Sequence, residues 1–285
     1  MEFAGRTVWI TGASSGIGRA LAEALAARGA AIVLSGRRRD ELARTASGFS
    51  HALVLPFEAT DFSGLPKIVE KAWSWRGGID CLINNAGISQ RGLAIDTSFS
   101  VYRELMEVDF FAPVALTQAL LPRMVARRSG HIAVVASVTG KVGVPLRTGY
   151  CAAKHACVGY FDALRSEVEQ AYGIGVSVIL PGSVRTAIST NALTASGARF
   201  ARTDASIENG MSPAAAAAQI VAGLEAGKRE IVVAEGVERM AIDLKASDPE
   251  KVYALTAAEG AQLAAARAEA ADKHSPENLK FNARA

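Results

Sequence analysis

The sequence lacks the features that would place it among membrane-spanning, disulfide-stabilised or nucleic-acid-binding proteins. No stretch approaches about 20 uninterrupted apolar residues, so we expect no membrane-spanning helix. The net charge is only +3, and Lys and Arg are scattered apart from one run at 37–39, so nucleic acid is not expected as a partner. The only three cysteines, Cys81, Cys151 and Cys157, show neither metal-ligand spacing nor a disulfide framework.

The first ten residues, MEFAGRTVWI, run directly into a strand pattern and leave no room for a signal peptide. Together with the odd number of cysteines, this predicts a cytoplasmic protein with reduced thiols. Apolar residues are plentiful by contrast. Half of the 285 residues are hydrophobic and 21% are charged, which predicts a folded protein with a sizeable core.

Seven short runs rich in Val, Ile and Leu, and free of charge, alternate with longer amphipathic segments. Such runs are typical of parallel strands that are buried on both faces. Their alternation with helices predicts an α/β fold, a doubly wound parallel sheet of about seven strands with helices on both faces. The predicted strands are 7–10, 31–35, 52–55, 81–83, 132–136, 176–180 and 231–233, and the predicted helices include 18–28, 102–127, 150–170 and 214–224.

The seven predicted strands occupy the chain to about residue 235, so we predict one domain over 1–235. Residues 236–285 are rich in Ala, Glu and Lys and have few apolar positions. They predict a helical and polar C-terminal extension, to which the sequence assigns no function.

Three glycines follow the first predicted strand within the segment TGASSGIG (11–18). Gly12 would allow a tight turn, Gly16 a close approach of the backbone to a ligand, and Gly18 close packing of a helix on the strand. The free N–H groups at the start of that helix suit an anion such as a pyrophosphate. The spacing G-x-x-x-G-x-G departs from the G-x-G-x-x-G fingerprint, so a purely structural turn is the alternative.

Two arginines, Arg37 and Arg38, follow the second predicted strand, where a site for NAD usually carries an acid. A carboxylate would accept a hydrogen bond from the ribose 2′-OH, whereas a guanidinium pairs with a 2′-phosphate. The arginines therefore favour NADP(H) over NAD(H). The alternative is a solvated helix start, although cations at that position oppose the helix dipole.

Tyr150 and Lys154 are four residues apart on a predicted helix, which places both on one face. A nearby ammonium favours the phenolate and lowers the pKa of a tyrosine from about 10. A phenol tuned in this way can give a proton to a carbonyl oxygen or take one from an alcohol. Ser137, at the end of an earlier strand, is placed to hydrogen-bond the same oxygen. Each residue alone is a weak signal, because Tyr-x-x-x-Lys pairs are common on helix surfaces.

Taken together, these residues resemble the short-chain dehydrogenase/reductase family in its single-domain form. The resemblance covers about residues 5–235 and is nearest the branch of dehydrogenase/reductase family member 7. It implies a Rossmann-type fold, an NAD(P)-dependent oxidoreductase and a homodimer or homotetramer. It rests on TGASSGIG (11–18), NNAG (84–87), Ser137, YCAAK (150–154) and PGSVRT (181–186), in the order and spacing of the family.

The resemblance also implies a role for each matching residue. Tyr150 would be the general acid/base, Lys154 would lower its pKa and hold the nicotinamide ribose, and Ser137 would orient the substrate carbonyl. The segment 181–186 would close over the nicotinamide end of the cofactor. The residues expected to bind the cofactor are Gly12, Ser14, Ser15, Gly16, Ile17, Gly18, Arg37, Arg38, Glu58, Asn84, Ala86, Gly87, Tyr150, Lys154, Pro181, Gly182, Val184 and Thr186.

Two positions depart from the family pattern. Asp109 stands where the family usually has an Asn whose backbone carbonyl holds a water that reaches the lysine, and we count it among the catalytic residues. Either the exchange is inert, or the carboxylate raises the pKa of Lys154 and weakens its help to Tyr150. Glu58 stands where an Asp usually meets the adenine amino group, and its extra methylene is expected to preserve binding.

The sequence therefore predicts an NADP(H)-dependent oxidoreductase that interconverts a carbonyl and an alcohol of a small-molecule substrate. Substrate identity is expected to depend on 88–98 and on 187–210, a segment with few helix or strand signals that we interpret as a mobile lid. A dinucleotide-binding sensor with little turnover is the alternative from another class, and an NAD-linked alcohol oxidase is a third. No metal is expected, since His131 and His155 are not spaced as ligands.

Overall fold

A computed structural model describes residues 1–273, in which short strands alternate with helices. The strands are β1 (Thr7–Thr11), β2 (Ala31–Ser35), β3 (Ala52–Val54), β4 (Cys81–Asn84), β5 (Gln90–Arg91), β6 (Gly130–Val135), β7 (Ile174–Pro181), β8 (Leu193–Thr194) and β9 (Glu230–Val233). The helices are α1 (Gly16–Ala26), α2 (Arg39–Ala46), α3 (Leu65–Ser74), α4 (Phe99–Met106), α5 (Ala112–Arg127), α6 (Thr148–Tyr172), α7 (Ala205–Glu208), α8 (Pro213–Glu225), α9 (Gly236–Ser247) and α10 (Pro249–Lys273). Turns of 3₁₀ helix lie at Phe62–Gly64 and Val138–Gly140.

Seven strands form one parallel sheet in the order β3-β2-β1-β4-β6-β7-β9. The strand order reverses between β1 and β4, which is the point where sheets of this kind bind ligands. The predicted doubly wound parallel sheet is confirmed, and the seven predicted strands agree with the structure to within two residues at each end.

The core lies in two layers, one on each face of the sheet. In β1, Val8 and Ile10 belong to the layer that α1 and α8 cover, and Trp9 belongs to the layer that α3, α5 and α6 cover. Burial of one such side chain contributes about 1.5–3 kcal/mol, so both faces of the strand stabilise the fold. Helix α8 begins as the sequence indicates, because Ser212 Oγ accepts a hydrogen bond from Ala215 N at 3.1 Å.

The helical segment 99–127 is not the single α-helix that was predicted over 102–127. A π-helical turn at Glu107–Phe111 separates α4 from α5. Pro113 lacks an N–H group, so it cannot donate to the carbonyl of Asp109 four residues earlier. That carbonyl instead accepts a hydrogen bond from the thiol of Cys157, with an Sγ–O distance of 3.0 Å. The turn thus connects this segment to α6.

By length and composition, the segment Phe99–Arg127 is also long and apolar enough to cross a membrane. In the fold it packs on the sheet, and Leu116, Leu120 and Met124 of α5 belong to the core. A helix in the core of a globular protein can have the same length and apolar composition, so these two properties are weak evidence for a membrane span. The expectation of no membrane span therefore stays a prediction.

The two segments expected to determine the substrate meet in a second, two-stranded sheet. Strands β5 and β8 pair in parallel, with Gln90 opposite Leu193 and Arg91 opposite Thr194. The segment 187–210 thus contains a strand and the short helix α7, where the sequence predicted few such elements.

The C-terminal extension contains α9 and α10, and residues 274–285 lie outside the described part. It packs on the rest of the fold at separate places. Val252 is buried, α9 lies against the turn Val138–Gly140, and Arg267 Nη2 donates to Asp96 Oδ1 at 2.5 Å. The division of the chain into domains at residue 235 stays a prediction.

Candidate active site

The turn between β1 and α1 lies at the carboxyl edge of the sheet and is shaped by its glycines. Gly12 and Gly16 have φ values of +67° and +54°, which other residues rarely adopt. A Cβ on Gly12 would lie 2.8 Å from Asn85 Nδ2, and a Cβ on Gly18 would lie 2.4 Å from the oxygen of Gly12. A Cβ on Gly16 would lie 3.0 Å from Thr186 Cγ2, so this turn faces the segment 181–186.

Asn85 connects this turn to the central strand β4, although it was not among the residues predicted to bind the cofactor. Its backbone N–H and that of Ala86 both donate to Thr11 Oγ1 at 3.0 Å, and its Nδ2 donates to Thr11 O at 2.9 Å. Asn84 points elsewhere and donates to Thr117 Oγ1 of α5 at 3.1 Å. The second Asn of NNAG was the signal available in the sequence.

Both arginines that follow β2 contact residues predicted to bind the cofactor. Arg38 Nη2 donates to Ser14 Oγ at 3.0 Å and to Ser15 Oγ at 2.9 Å, so this guanidinium lies against the glycine turn. Arg37 Nη1 lies 3.8 Å from Glu58 Oε2, and both of these side chains are exposed. The run of arginines therefore places one guanidinium at the glycine turn and another beside Glu58.

The three residues predicted to perform the chemistry come together beyond the end of β6. Ser137 Oγ accepts a hydrogen bond from Thr139 N at 3.1 Å and lies 3.4 Å from Pro181 O. Tyr150 is in the first turn of α6, close enough to the Ser137 hydroxyl for that group to lower the pKa of the phenol. One turn further along, Lys154 Nζ lies 5.5 Å from the centre of the Tyr150 ring.

Lys154 and Asp109 form an ion pair inside the protein. Lys154 Nζ donates to Val135 O at 3.3 Å and lies 3.7 Å from Asp109 Oδ2. Asp109 is 1% exposed, and its Oδ1 accepts a hydrogen bond from Ile88 N at 2.8 Å. Burial raises the pKa of Asp109, although the ammonium opposes this. Burial lowers the pKa of Lys154, but the interactions with Asp109, Tyr150 and Cys157 together outweigh it and leave this pKa above its ordinary value.

The pKa of Tyr150 differs from the sequence-based expectation. Burial raises this pKa, the ammonium of Lys154 lowers it, and the carboxylate of Asp109 raises it again, with a net change upward. The expected net lowering is therefore wrong, although Lys154 acts in the predicted direction. Of the two interpretations of Asp109, the geometry favours a carboxylate that raises the pKa of Lys154 and opposes its effect on Tyr150.

The other residues predicted to bind the cofactor lie along the same edge of the sheet. A Cβ on Gly87 would lie 3.0 Å from Asp109 Oδ1, so the motif NNAG reaches the catalytic residues. Val184 bridges to Met211, and Ile17 packs against the core. Each predicted cofactor residue lies in a segment at or beyond the carboxyl end of a strand of the main sheet.

An ion-pair cluster that the sequence did not reveal joins the two substrate segments near Tyr150. Arg91 is buried, and its Nε donates to Asp204 Oδ2 at 2.6 Å, while its Nη2 contacts the same oxygen. Arg147, which precedes α6, donates to that oxygen at 3.1 Å. Burial raises the pKa of Asp204, but the hydrogen bond from Arg91 and the charges of both arginines outweigh it and hold the pKa below its usual range.

The cysteines have no exposed thiol, because all three are buried and free. Burial raises the pKa of Cys81 to about 12 and that of Cys157 to about 11, which makes both thiols poor nucleophiles. Within residues 1–273, no group of three or more His, Cys, Asp or Glu residues is placed to hold a metal ion.

A parallel sheet with a glycine turn after its first strand, and a serine–tyrosine–lysine set beyond β6, defines a class of oxidoreductases that use a nicotinamide dinucleotide. A family model described as short chain dehydrogenase matches residues 6–196. The chain belongs to the short-chain dehydrogenase/reductase family and is an NAD(P)-dependent oxidoreductase.

The relatives place the chain in the branch of family member 7. Dehydrogenase/reductase SDR family member 7B from Bos taurus is 38% identical over 278 residues, which cover 94% of this chain and 83% of the relative. A short-chain dehydrogenase/reductase from Burkholderia phymatum, solved with NAD, has a TM-score of 0.78 at 24% identity and covers 88% of this chain and 96% of its own. A Burkholderia cenocepacia enzyme, solved with NADP, has a TM-score of 0.76 at 23% identity, covering 90% and 99%. The two structures share the fold of this chain.

Proposed function

We propose that the protein is an NADP(H)-dependent oxidoreductase that interconverts a carbonyl group and an alcohol of a small-molecule substrate, with Tyr150 as general acid/base. The observation that carries this proposal is the convergence of Ser137, Tyr150 and Lys154 beyond β6. The residues present fit the cofactor, because the guanidinium of Arg38, a group that pairs with phosphate, lies against the hydroxyls of Ser14 and Ser15 in the glycine turn. The nicotinamide supplies the hydride when it is bound, and the protein supplies position and proton transfer.

Tyr150 donates the proton to the carbonyl oxygen in reduction and removes it from the alcohol in oxidation. Its raised pKa keeps the phenol protonated near neutral pH, which suits donation. Ser137, whose hydroxyl lies near the Tyr150 phenol, orients the substrate oxygen beside it. The pKa of Lys154 is raised, so the ammonium stays charged and stabilises the phenolate after the proton has left.

The preference for NADP(H) over NAD(H) is supported by Arg37 and Arg38. A 2′-phosphate carries a charge that guanidinium groups bind through paired hydrogen bonds. Arg38 already contacts the hydroxyls of Ser14 and Ser15 in the glycine turn, and Arg37 lies beside Glu58, which is expected to meet the adenine. An NAD-linked alcohol oxidase is the second candidate, and the absence of an acid at the end of β2 weighs against it.

The substrate is proposed to enter between the segments 88–98 and 187–210. The cluster of Arg91, Arg147 and Asp204 holds the second segment next to the start of α6, which carries Tyr150. Opening of the lid would require that these ion pairs separate. Substrate selection is therefore expected to depend on residues from both segments.

A cytoplasmic location is proposed because the three cysteines are free and buried.

A homodimer or homotetramer is proposed from the family resemblance, with 102–127 and 150–171 in the interface. Phe111, on the first of these segments, is 44% exposed in the single chain. An apolar residue that a second subunit covers would be exposed in this way.

The rival function, a sensor with little turnover, is supported only by Asp109 and its effect on Lys154.

The experiment that tests the proposal follows NADPH absorbance with a panel of aldehydes, ketones and quinones. With any substrate that the native protein turns over, we expect Tyr150→Phe to lower kcat by at least about 100-fold, because the proton donor is lost. Tyr172→Phe at the far end of α6 is the matched control and should leave kcat unchanged. Turnover by Tyr150→Phe at the native rate would refute the assigned mechanism.

A further inference from the structure

The C-terminal extension contacts the loop that is expected to close over the nicotinamide. Both oxygens of Glu238 in α9 are used for this contact. Oε2 accepts a hydrogen bond from Ser183 N at 2.7 Å, and Oε1 accepts one from Ser183 Oγ at 2.7 Å. Hydrogen bonds to an ionised carboxylate are stronger than those between neutral groups, so this two-point contact fixes Ser183 to α9.

The approach of Glu238 depends on the glycine that precedes this contact. A Cβ on Gly182 would lie 2.0 Å from Glu238 Oε2 and 3.1 Å from the Cβ of Ala234. No other residue leaves room for the carboxylate at this position. Gly182 N also donates to Val233 O at 3.0 Å, so the start of the loop is fixed by strand β9 as well.

The loop is also held by Met211, which directly follows the lid segment 187–210. Ser183 O accepts a hydrogen bond from Met211 N at 2.9 Å, and Arg185 N donates to Met211 O at 2.9 Å. Every polar group of Ser183 therefore has a partner, two of them supplied by Glu238. The far end of the loop reaches the glycine turn, where Thr186 lies against Gly16.

The loop also contacts the catalytic residues at its beginning. Ser137 Oγ lies 3.4 Å from Pro181 O, the last residue of β7. The segment 181–186 thus spans from Ser137 to the glycine turn, and its position sets the space between them. A displacement of Ser183 would therefore change the position of the loop both at Ser137 and at the glycine turn.

We propose that Glu238 is a positioning residue for the cofactor, and that the C-terminal extension acts through it to hold the segment 181–186 in the shape that binds the nicotinamide end. This inference rests on the proposed function, since it takes the nicotinamide dinucleotide to lie under this loop. It assigns a role to the extension, which the sequence left without one. Glu238 itself does not touch the reacting atoms.

The test measures the Kd for NADPH by the fluorescence of the bound nucleotide, which requires no turnover. We expect Glu238→Ala to raise this Kd about tenfold, because two charge-assisted hydrogen bonds that hold the loop are lost. Glu238→Gln should raise it by less than about threefold, because the amide oxygen still accepts from Ser183 N. Arg239→Ala is the matched control on the same helix; it breaks an exposed pair with Asp243 and should leave the Kd unchanged.

A double-mutant cycle that combines Ser183→Ala with Glu238→Ala distinguishes a direct contact between the two side chains from general destabilisation. Ser183→Ala removes one of the two hydrogen bonds, so we expect a small increase in Kd in the native background and none in the Glu238→Ala background. If Glu238→Ala fails to fold, the Kd values of Ser183→Ala and Glu238→Gln for NADPH still test the proposal. Steady-state assays should show the loss mainly in KM for NADPH and much less in kcat.

The outcomes distinguish this inference from the proposed function. If the native protein binds neither NADPH nor NADH, the proposed function fails. If the native protein binds NADPH and Glu238→Ala binds it with the same Kd, the positioning role is refuted while the proposed function stands. A rise in Kd of equal size in Arg239→Ala would also refute the role, because it would show only a weakened extension.

Discussion

Lys154 Nζ lies 3.7 Å from Asp109 Oδ2, and both side chains are buried. The ammonium that should favour ionisation of Tyr150 is therefore shared with a buried carboxylate. Asp109 raises the pKa of both Lys154 and Tyr150, so this carboxylate opposes formation of the phenolate while it keeps the lysine charged. An Asn at this position would keep a hydrogen-bond acceptor for Ile88 N without the charge.

The first prediction concerns this charge. Asp109→Asn should leave kcat/KM for reduction within about tenfold of the native value, because one pKa unit corresponds to about a factor of ten. Alcohol oxidation needs the phenolate, so its rate rises as the pH passes the pKa of Tyr150. Removal of the carboxylate lowers this pKa, and the rise should therefore begin at lower pH.

The measurement is the pH profile of kcat/KM for alcohol oxidation, read as the apparent pKa of the coupled groups. Asp162→Asn, an exposed carboxylate of α6 that pairs with Arg165, is the control and should leave the profile in place. A profile of Asp109→Asn that moved to higher pH would contradict the assigned electrostatics. A gain in activity far above tenfold would show that the carboxylate restrains the chemistry.

Most of the fold could be predicted from short-range patterns in the sequence. The strands of the main sheet are apolar on both faces, as in β1 and β2, where every residue is buried, and composition alone reveals such strands. The π-helical turn was not predicted, because the pattern of 102–127 continues through it without a break. The sequence does contain a local sign of it, since Pro113 cannot donate to the Asp109 carbonyl four residues earlier.

The site was predictable where its residues lie in motifs and unpredictable where they meet across the fold. Tyr150 and Lys154 share one face of a helix at a spacing that the sequence shows directly. Arg91 and Asp204 are 113 positions apart, and Ser183 and Glu238 are 55 apart, so no local pattern joins them. The upward shift in the pKa of Tyr150 was not predicted for the same reason, because the burial that causes it depends on all the elements that surround this side chain.

The second prediction concerns the cofactor preference. Arg37→Ala and Arg38→Ala should each raise the Kd for NADP(H) about 10-fold to 100-fold and change the Kd for NAD(H) far less, because a charged partner of the 2′-phosphate is lost. The measurement is a fluorescence titration with both nucleotides. Arg39→Ala, the first residue of α2, is the control within the same run. Equal losses for the two nucleotides would remove the argument for a phosphate at this place.

The last prediction concerns the ion pairs that hold the lid segment. Asp204 has a lowered pKa in the folded protein, so its contribution to stability is present above the pKa of the unfolded chain and is lost as the pH falls through the folded pKa. Asp204→Asn leaves Arg91 and Arg147 without their shared carboxylate. We expect it to lower the free energy of unfolding by about 1 kcal/mol at pH 7, a value reduced for partial exposure of the pair, and to have little effect at a pH below the folded pKa of Asp204.

Urea unfolding at the two pH values measures this difference, and limited proteolysis should show faster cleavage within 187–210 in the variant. Asp243→Asn removes the same charge from an exposed pair with Arg239 and should change neither property. The sign of the pH dependence is decisive here, because a loss of stability that persisted at low pH would have to come from packing of the side chain. In that case the lid segment would be held by its strand β8 and not by the charge of Asp204.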